Sequence, residues 1–358
     1  MSLPPIAHSR PWLTPGDHQA VACLLESEWL ASGTRCRAFE TRLADWVGAP
    51  RPGAAVASGS AALVLALAAL GAGTGDEVIL PTYVCPSVLD AVVAVGAEPV
   101  VCDVGPGWVV EAAAVAPHVT RHTRAIVVPH VYGIRAEVEA IRGLGVPVIE
   151  DRAQALDAEG AHPIAGDLAV FSFHPTKCLT TGEGGMAIAR DPGLAERLLR
   201  VRDGAPDRRQ ARVIAPLSDL AAALGLAQLG RYPKALTRRH AIAGDYRAAI
   251  GGVAPQALAR QAPSRTMWFR FPISVPGGLA ACGAAFAEAG VTVRRGVDQL
   301  VHRLLGLDDR AFPVARELFD TTVSLPLYPA LTSGETARVS GAARLVLPAV
   351  PGLEARCA

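Results

Sequence analysis

Neither sign of charge is in excess in this sequence: 34 Lys and Arg face 33 Asp and Glu, a net charge of +1. That balance leaves no electrostatic footprint for nucleic acid or for an anionic membrane surface, so neither is an expected partner. Charged residues are scarce at 19% and aromatics at 5%, whereas hydrophobic residues reach 51%, enough for a large aliphatic core. The seven cysteines are scattered, odd in number and without a C-x-x-C pair. This argues against a disulfide framework or a zinc site and for a reducing compartment. The longest apolar tract, Ala61 to Ala72, is too short to span a bilayer and is broken by Gly71. The first residues lack the basic-then-apolar layout of a signal peptide, and the expected location is cytoplasmic.

What is present is alternation. Ala54–Ala57, Val78–Leu80, Pro99–Cys102, Ala125–Val128, Val146–Ile149, Leu168–Phe173 and Met186–Ala189 read as short apolar strands. Helical stripes precede them at Asp17–Leu30 and Phe39–Val47. Others fall among them at Ala61–Leu70, Ser87–Val95 and Glu137–Arg142, and one follows at Pro192–Arg200. This order predicts an α/β fold with a mostly parallel sheet between helices. Helices are expected at Ser218–Tyr232 and Leu236–Ile250. Beyond Gly251 the texture changes to β-like pieces, Met267–Val275 and Val291–Val293, mixed with helices at Ala280–Ala289 and Thr336–Leu345. A large domain over residues 1–235 and a smaller α/β domain over 236–358 are expected.

Three strand ends carry candidate chemistry. Ala54–Ala57 runs into Ser58-Gly59-Ser60 and then a helix, a geometry that aims unpaired N–H groups and a positive helix end at one point. That is a phosphate site, unless Ser60 serves only as a helix cap. Val146–Ile149 leads to Glu150-Asp151, where Asp151 is either a site carboxylate or a cap or partner for Arg152. Leu168–Phe173 exits through Ser172, His174 and Thr176 to Lys177 and a glycine-rich turn. Parallel neighbours place their C-terminal ends side by side, so amine, carboxylate and phosphate cradle can converge on one crevice. That set suits pyridoxal 5'-phosphate: the lysine forms an imine with the aldehyde, and the carboxylate keeps the ring nitrogen protonated. Hydroxyls such as Ser172 help to hold the phosphate.

Ser58-Gly59-Ser60-Ala61-Ala62-Leu63, Gly75-Asp76-Glu77-Val78-Ile79-Leu80-Pro81, Ile149-Glu150-Asp151 with Ala153-Gln154-Ala155, and Ser172-Phe173-His174-Pro175-Thr176-Lys177 resemble the DegT/DnrJ/EryC1/StrS family. The resemblance covers nearly the whole chain, including Ser324-Leu325-Pro326-Leu327-Tyr328-Pro329. It implies the type I, aspartate-aminotransferase-like fold of pyridoxal-phosphate transferases, with a seven-stranded large domain and a homodimer sharing active sites at its interface. It also implies amino transfer from an amino acid, glutamate or glutamine, to a keto sugar, often nucleotide-linked. By motif position Lys177 is the imine lysine, Asp151 the partner of the ring nitrogen, and Gln154 a neighbour of the phenolic oxygen. Ser60 and Ala61 bind the phosphate, with Ser172 adding a hydroxyl.

Three departures stand out. Where the family has a ring-stacking aromatic, four residues after its proline, this chain has Cys85, and Tyr83 lies nearby at a different spacing. The Asn and Arg that precede a Ser-Asp/Glu-Leu segment in the family are missing from Ile214–Leu220, and Arg212 is a candidate substitute. Arg152 replaces a small residue beside Asp151. His174 and His130 are each either proton carriers or packing residues. The arginines of 202–212 and Arg294-Arg295 are candidates for a nucleotide diphosphate or for a solvated face. His302 and Tyr328 occupy motifs that lie near substrate in the family. Sugar dehydration is an alternative, although dehydrating relatives carry histidine in place of the lysine. A non-catalytic assembly or sensing protein is another.

Overall fold

The computed structural model describes residues 4–204 and 214–353. The apolar runs form β1 (Ala54–Val56), β2 (Glu77–Pro81), β3 (Glu98–Cys102), β4 (Thr123–Pro129), β5 (Val148–Asp151), β6 (Leu168–Ser172) and β7 (Gly185–Ala189). They make one sheet in the order β1-β7-β6-β5-β4-β2-β3. All neighbours are parallel except β7, which is antiparallel to both β1 and β6. The central strands are buried on both faces, which is why they read as unbroken hydrophobic runs rather than as alternation.

The helices of this layer are α1 (Pro15–Glu26), α2 (Thr34–Trp46), α3 (Gly59–Ala69), α4 (Ser87–Ala94), α5 (Ala112–Val115), α6 (Val138–Arg142), α7 (Pro192–Asp203) and α8 (Asp219–Gly230). Helix α1 stops short of the expected Leu30. The Ser27 N–H and hydroxyl both bond back to the Leu24 carbonyl, and Glu28 then takes a φ of +56°, leaving Trp29 and Leu30 exposed. The buried Asp219 carboxylate accepts the N–H groups of Gly33, Arg35 and Cys36 at 2.7, 3.0 and 2.8 Å. It thereby ties α8 to the start of α2, and this is the role the structure gives to the Ser218-Asp219-Leu220 segment.

The rest of the chain supplies α9 (Tyr232–Gly251), β8 (Phe271–Ser274), α10 (Gly278–Glu288), β9 (Arg294–Arg295), α11 (Val301–Leu304), α12 (Pro313–Thr321), β10 (Thr322–Leu325) and α13 (Ser333–Val346). An antiparallel sheet β8-β10-β9 packs with α9, α10 and α13 around its own core. The boundary expected after residue 235 falls inside α9, and the two cores exchange segments. Ile6 joins the C-terminal core, whereas Val297, Leu300, Phe312 and Leu318 join that of the large sheet. Sequence periodicity misses β9 and β10. No helix among the described residues is long and apolar enough to cross a membrane.

Gly185 fixes how the turn before α3 sits on the sheet. It pairs with Val56 on one side and Ser172 on the other, and a Cβ there would lie 2.3 Å from the Ser58 carbonyl oxygen. Because the obstacle is backbone, it cannot rotate away. Gly185→Ala is therefore expected to destabilise the protein by about 1–3 kcal/mol. A denaturant midpoint unchanged from wild type would refute this reading of the turn.

Candidate active site

The ends of β1, β4, β5 and β6 open on a cavity of about 340 Å³. Asp151, Gln154, Ser172, His174, Lys177, Ser60 and Cys85 all line it. The alignment follows from parallel pairing: Asp151 stands opposite Val170, so β5 ends beside the exit of β6 and the loop that bears Lys177. Burial raises the Asp151 carboxyl above its usual range, opposed by the Ala153 N–H at 2.9 Å, the Lys177 ammonium and His130. Arg152 takes no part in this, because it points to the other face of the strand.

At one end of the cavity lies the start of α3. Ser58, not Ser60, is its cap: the Ser58 hydroxyl accepts the Ala61 N–H at 3.1 Å. The N–H of Ala61 is thus already used, and Ala61 does not line the cavity. The N–H groups of Gly59 and Ser60 have no acceptor among the described residues and remain for an anion. Gly59 is required here, since its Cβ would come within 2.7 Å of the Ser172 Cβ. That approach brings the Ser172 hydroxyl against the helix start. Two unpaired N–H groups, a positive helix end and a serine hydroxyl fit a phosphate, and Asp151 and Lys177 in the same cavity fit a pyridoxal ring.

Gln154 is held by a strained neighbour. Tyr132 adopts φ +60°, ψ +12°, unusual for a bulky residue, and its N–H donates to the Gln154 Oε1 at 2.8 Å. The amide is thereby oriented and its NH₂ remains as a free donor. The Tyr132 hydroxyl bonds to that of Tyr83 at 2.8 Å. Tyr83 is fully buried, its phenol pushed up to about 12 by burial, and it does not line the cavity. A cofactor contact from Tyr83 is therefore not what the structure provides. No Phe, Tyr or Trp among the described residues lines the cavity, and the aromatic position is held by the exposed Cys85.

Behind β5 lies a group the sequence did not single out. Strand alternation sends Glu150 away from the cavity, where it is 1% exposed. Its Oε1 accepts the N–H groups of Ala165 and Gly166 at 2.7 and 2.6 Å, and its Oε2 accepts from Arg152 and His130 at 2.8 and 2.9 Å. Burial alone would raise this carboxyl; the His130 hydrogen bond, the Arg152 charge and the Gly166 N–H reverse that and bring it down to about 2. His130 accepts the Ala136 N–H through Nδ1 at 3.1 Å, so its proton sits on Nε2, donated to Glu150. His130 thus holds the floor of the cavity in one orientation. The signal in the sequence was a charged pair, Glu150 and Arg152, flanking a candidate carboxylate on the opposite face of a strand.

Other candidates lie elsewhere. His302 is buried, bonded to Thr82 at 2.6 Å and Asp309 at 2.8 Å and stacked on Phe312, which makes it a packing residue. Arg294 pairs with Asp298, and Arg295 lies over Phe319, both away from the cavity. Arg202 is buried against Glu40 and Asp203, whereas Arg208, Arg209 and Arg212 lie outside the described residues. No cluster of metal-ligating side chains occurs among the described residues. The Glu150 network makes a direct prediction. Its carboxyl is depressed on folding, so its stabilisation is full above the ordinary value of 4.5 and is lost as pH falls from there toward 2. Glu150→Gln leaves Arg152 without its counter-charge and is expected to cost about 3–5 kcal/mol at neutral pH. The variant should also lose less stability than wild type between about pH 5 and pH 2. Equal acid slopes in denaturant titrations would contradict the assignment.

Residues 13–344 match the sequence profile of the DegT/DnrJ/EryC1/StrS aminotransferase family. Among solved structures, the aminotransferase TlmJ from Streptoalloteichus hindustanus is 29% identical with a TM-score of 0.85, over 96% of this chain and 99% of that one. DesV of S. venezuelae is 28% identical, TM-score 0.81, over 92% and 93%. A protein of Streptococcus pneumoniae named as a sugar aminotransferase, solved with pyridoxal phosphate, shares the fold at 24% identity and a TM-score of 0.85, over 96% and 98%. With the profile spanning most of its length and an amine, a carboxylate and an anion cradle in one cavity, this chain belongs to the DegT/DnrJ/EryC1/StrS aminotransferase family.

Proposed function

We propose that the protein moves an amino group from glutamate or glutamine to the ketone of a sugar, nucleotide-linked, in the making of an amino sugar for a polysaccharide or secondary metabolite. The observation that carries this reading is that Asp151 and Lys177 wall one cavity whose far end is the open start of α3. Pyridoxal phosphate, when bound, supplies an aldehyde for amines and a ring that accepts electrons from an adjacent carbon. Gly59 and Ser60 N–H groups with the Ser172 hydroxyl would hold its phosphate. Asp151 would keep the proton on the ring nitrogen, and the Gln154 NH₂ would donate to the phenolic oxygen. Lys177 would take and return the proton that moves between donor and acceptor carbons. Apolar side chains, Leu63, Val84, Val131, Val170 and Val297 among them, exclude water around these groups.

A lysine at 177 supports transfer over dehydration, and the sugar-aminotransferase name of the Streptococcus protein supports a keto-sugar acceptor. We further propose a homodimer, for which the exposed Leu25, Trp29 and Leu30 near the N-terminus provide an apolar surface. The six described cysteines are all free thiols, in keeping with a cytoplasmic location.

Purified protein loaded with pyridoxal phosphate should yield 2-oxoglutarate and the amine form of the cofactor from glutamate, or the corresponding products from glutamine. A panel of nucleotide-linked keto sugars should then gain an amine by mass. Asp151→Asn should slow the amino-acid half-reaction by about 100-fold or more, on the order of the losses seen when a pre-organised charged group is removed. Absence of any oxo-acid from glutamate, glutamine and alanine alike would sink the proposal.

A further inference from the structure

Tyr132, whose N–H orients Gln154, does not itself line the cavity. Its side chain runs into a buried seam where the large-sheet core meets the C-terminal part of the chain. There its hydroxyl and that of Tyr83 share a 2.8 Å hydrogen bond, and either can be the donor. Trp108 meets the Tyr132 ring edge-on at 5.8 Å and donates its indole N–H to the Thr322 hydroxyl of β10 at 2.8 Å. All four side chains are buried, and burial keeps both phenols protonated: Tyr83 is pushed up to about 12 and Tyr132 well above its ordinary value. Gly296 closes the seam. A Cβ there would stand 2.0 Å from both hydroxyls, and the next residue, Val297, lines the cavity.

The left-handed turn does not itself call for a tyrosine. Glycine would adopt φ +60° without strain, and the chain does place glycine at the next left-handed position, Gly133, φ +78°. A bulky residue kept at 132 against its backbone preference is therefore kept for what its side chain touches. It is held on every side. The N–H donates to Gln154 at 2.8 Å, the carbonyl accepts the Phe269 N–H at 3.0 Å, the hydroxyl meets Tyr83 and the ring meets Trp108. The Gly133 carbonyl accepts the Met267 N–H at 3.0 Å, so the turn is stitched to the C-terminal segment twice. Gln154 needs such a fixed partner. A carboxamide carries an acceptor at one end and two donors at the other, and half a rotation exchanges them. An N–H held at 132 keeps the oxygen on its own side and leaves the NH₂ for the cavity.

We infer that Tyr132 is a positioning residue for Gln154, and that its hydroxyl junction with Tyr83, seated under Gly296, lets the C-terminal part of the chain set the direction of the carboxamide. The inference rests on the proposed contact between the Gln154 NH₂ and the phenolic oxygen of the cofactor. A hydrogen bond donated to that oxygen withdraws charge from it, so it holds the proton of the neighbouring Lys177 nitrogen less tightly. Freeing the 132 backbone lets the carboxamide turn, and that proton is then held more tightly.

The test follows the pH midpoint of the visible absorbance of the full-length protein loaded with pyridoxal phosphate. The variants are Tyr132→Phe, Tyr83→Phe, Gly296→Ala, Gln154→Leu and the double variant Tyr132→Phe/Gln154→Leu, with melting curves to confirm that each is folded. Asp151, His130, His174 and Glu183 line the cavity unchanged in all of them, so their charges cancel in the comparison. Gln154→Leu should raise the midpoint by about 0.5–1 unit, the equivalent of one lost hydrogen bond. Tyr132→Phe should reproduce most of that rise and Tyr83→Phe part of it. Gly296→Ala, which forces the hydroxyls apart without removing either, should raise it as well. Adding Tyr132→Phe to Gln154→Leu should move the midpoint no further, because the first acts through the second. Wild-type midpoints in the folded seam variants, with Gln154→Leu shifted, would overturn the positioning role and leave the Gln154 contact standing. So would a Tyr132→Phe shift that persists in the Gln154→Leu background. An unmoved midpoint in Gln154→Leu itself would remove the contact, and the inference with it.

Discussion

The register of two parallel strands, with Asp151 of β5 opposite Val170 of β6, is what the site depends on. Parallel pairing brings both C-terminal ends to one edge, so a carboxylate on one strand and a lysine on the loop after the other share a cavity. Alternation along β5 then assigns opposite roles to neighbouring acids. Glu150 faces inward, takes four hydrogen bonds and stays ionised down to about pH 2; Asp151 faces the cavity and is raised by burial. A slip of one residue would exchange them, leaving a buried acid without partners and a cavity with the wrong carboxylate. The Arg152–Glu150–His130 cluster therefore does more than neutralise itself. It fixes which face of β5 carries the chemistry.

Around that register the molecule separates its charges. The α3 end of the cavity offers N–H groups and a helix dipole, the β5 end offers a carboxylate, and Lys177 lines the same cavity. Backbone strain enters this neighbourhood as well: Tyr132 holds a left-handed backbone so that its N–H reaches Gln154, and its hydroxyl locks Tyr83 below. Among the described residues no Phe, Tyr or Trp lines this cavity, whose wall is aliphatic with the thiol of Cys85. Hydrogen bonding and charge carry more of the positioning here than stacking does.

Much of this was legible in the sequence because parallel strands buried on both faces announce themselves as short apolar runs. All seven strands of the large sheet, and the placement of Asp151, Ser172 and Lys177 at their ends, follow from that pattern and from motif order. What was not legible depended on tertiary contact. The cap of α3 is Ser58 rather than Ser60, a choice between two serines in the same turn that only backbone geometry decides. Tyr83 lies near Cys85 in sequence yet points into the core, where Tyr132 and Gly296 receive it. The sequence separates α8 from α9 but puts the break at 233–235 rather than at Arg231, and residues 297–318 return to the first core after an excursion no local signal records.

The account's central claim is a covalent tether at one amine. Borohydride reduction of the protein loaded with pyridoxal phosphate, followed by peptide mass analysis, should find the reduced cofactor on the peptide that contains Lys177, and Lys177→Ala should remove the label. Label on Lys234 instead, or wild type that carries none, would contradict it.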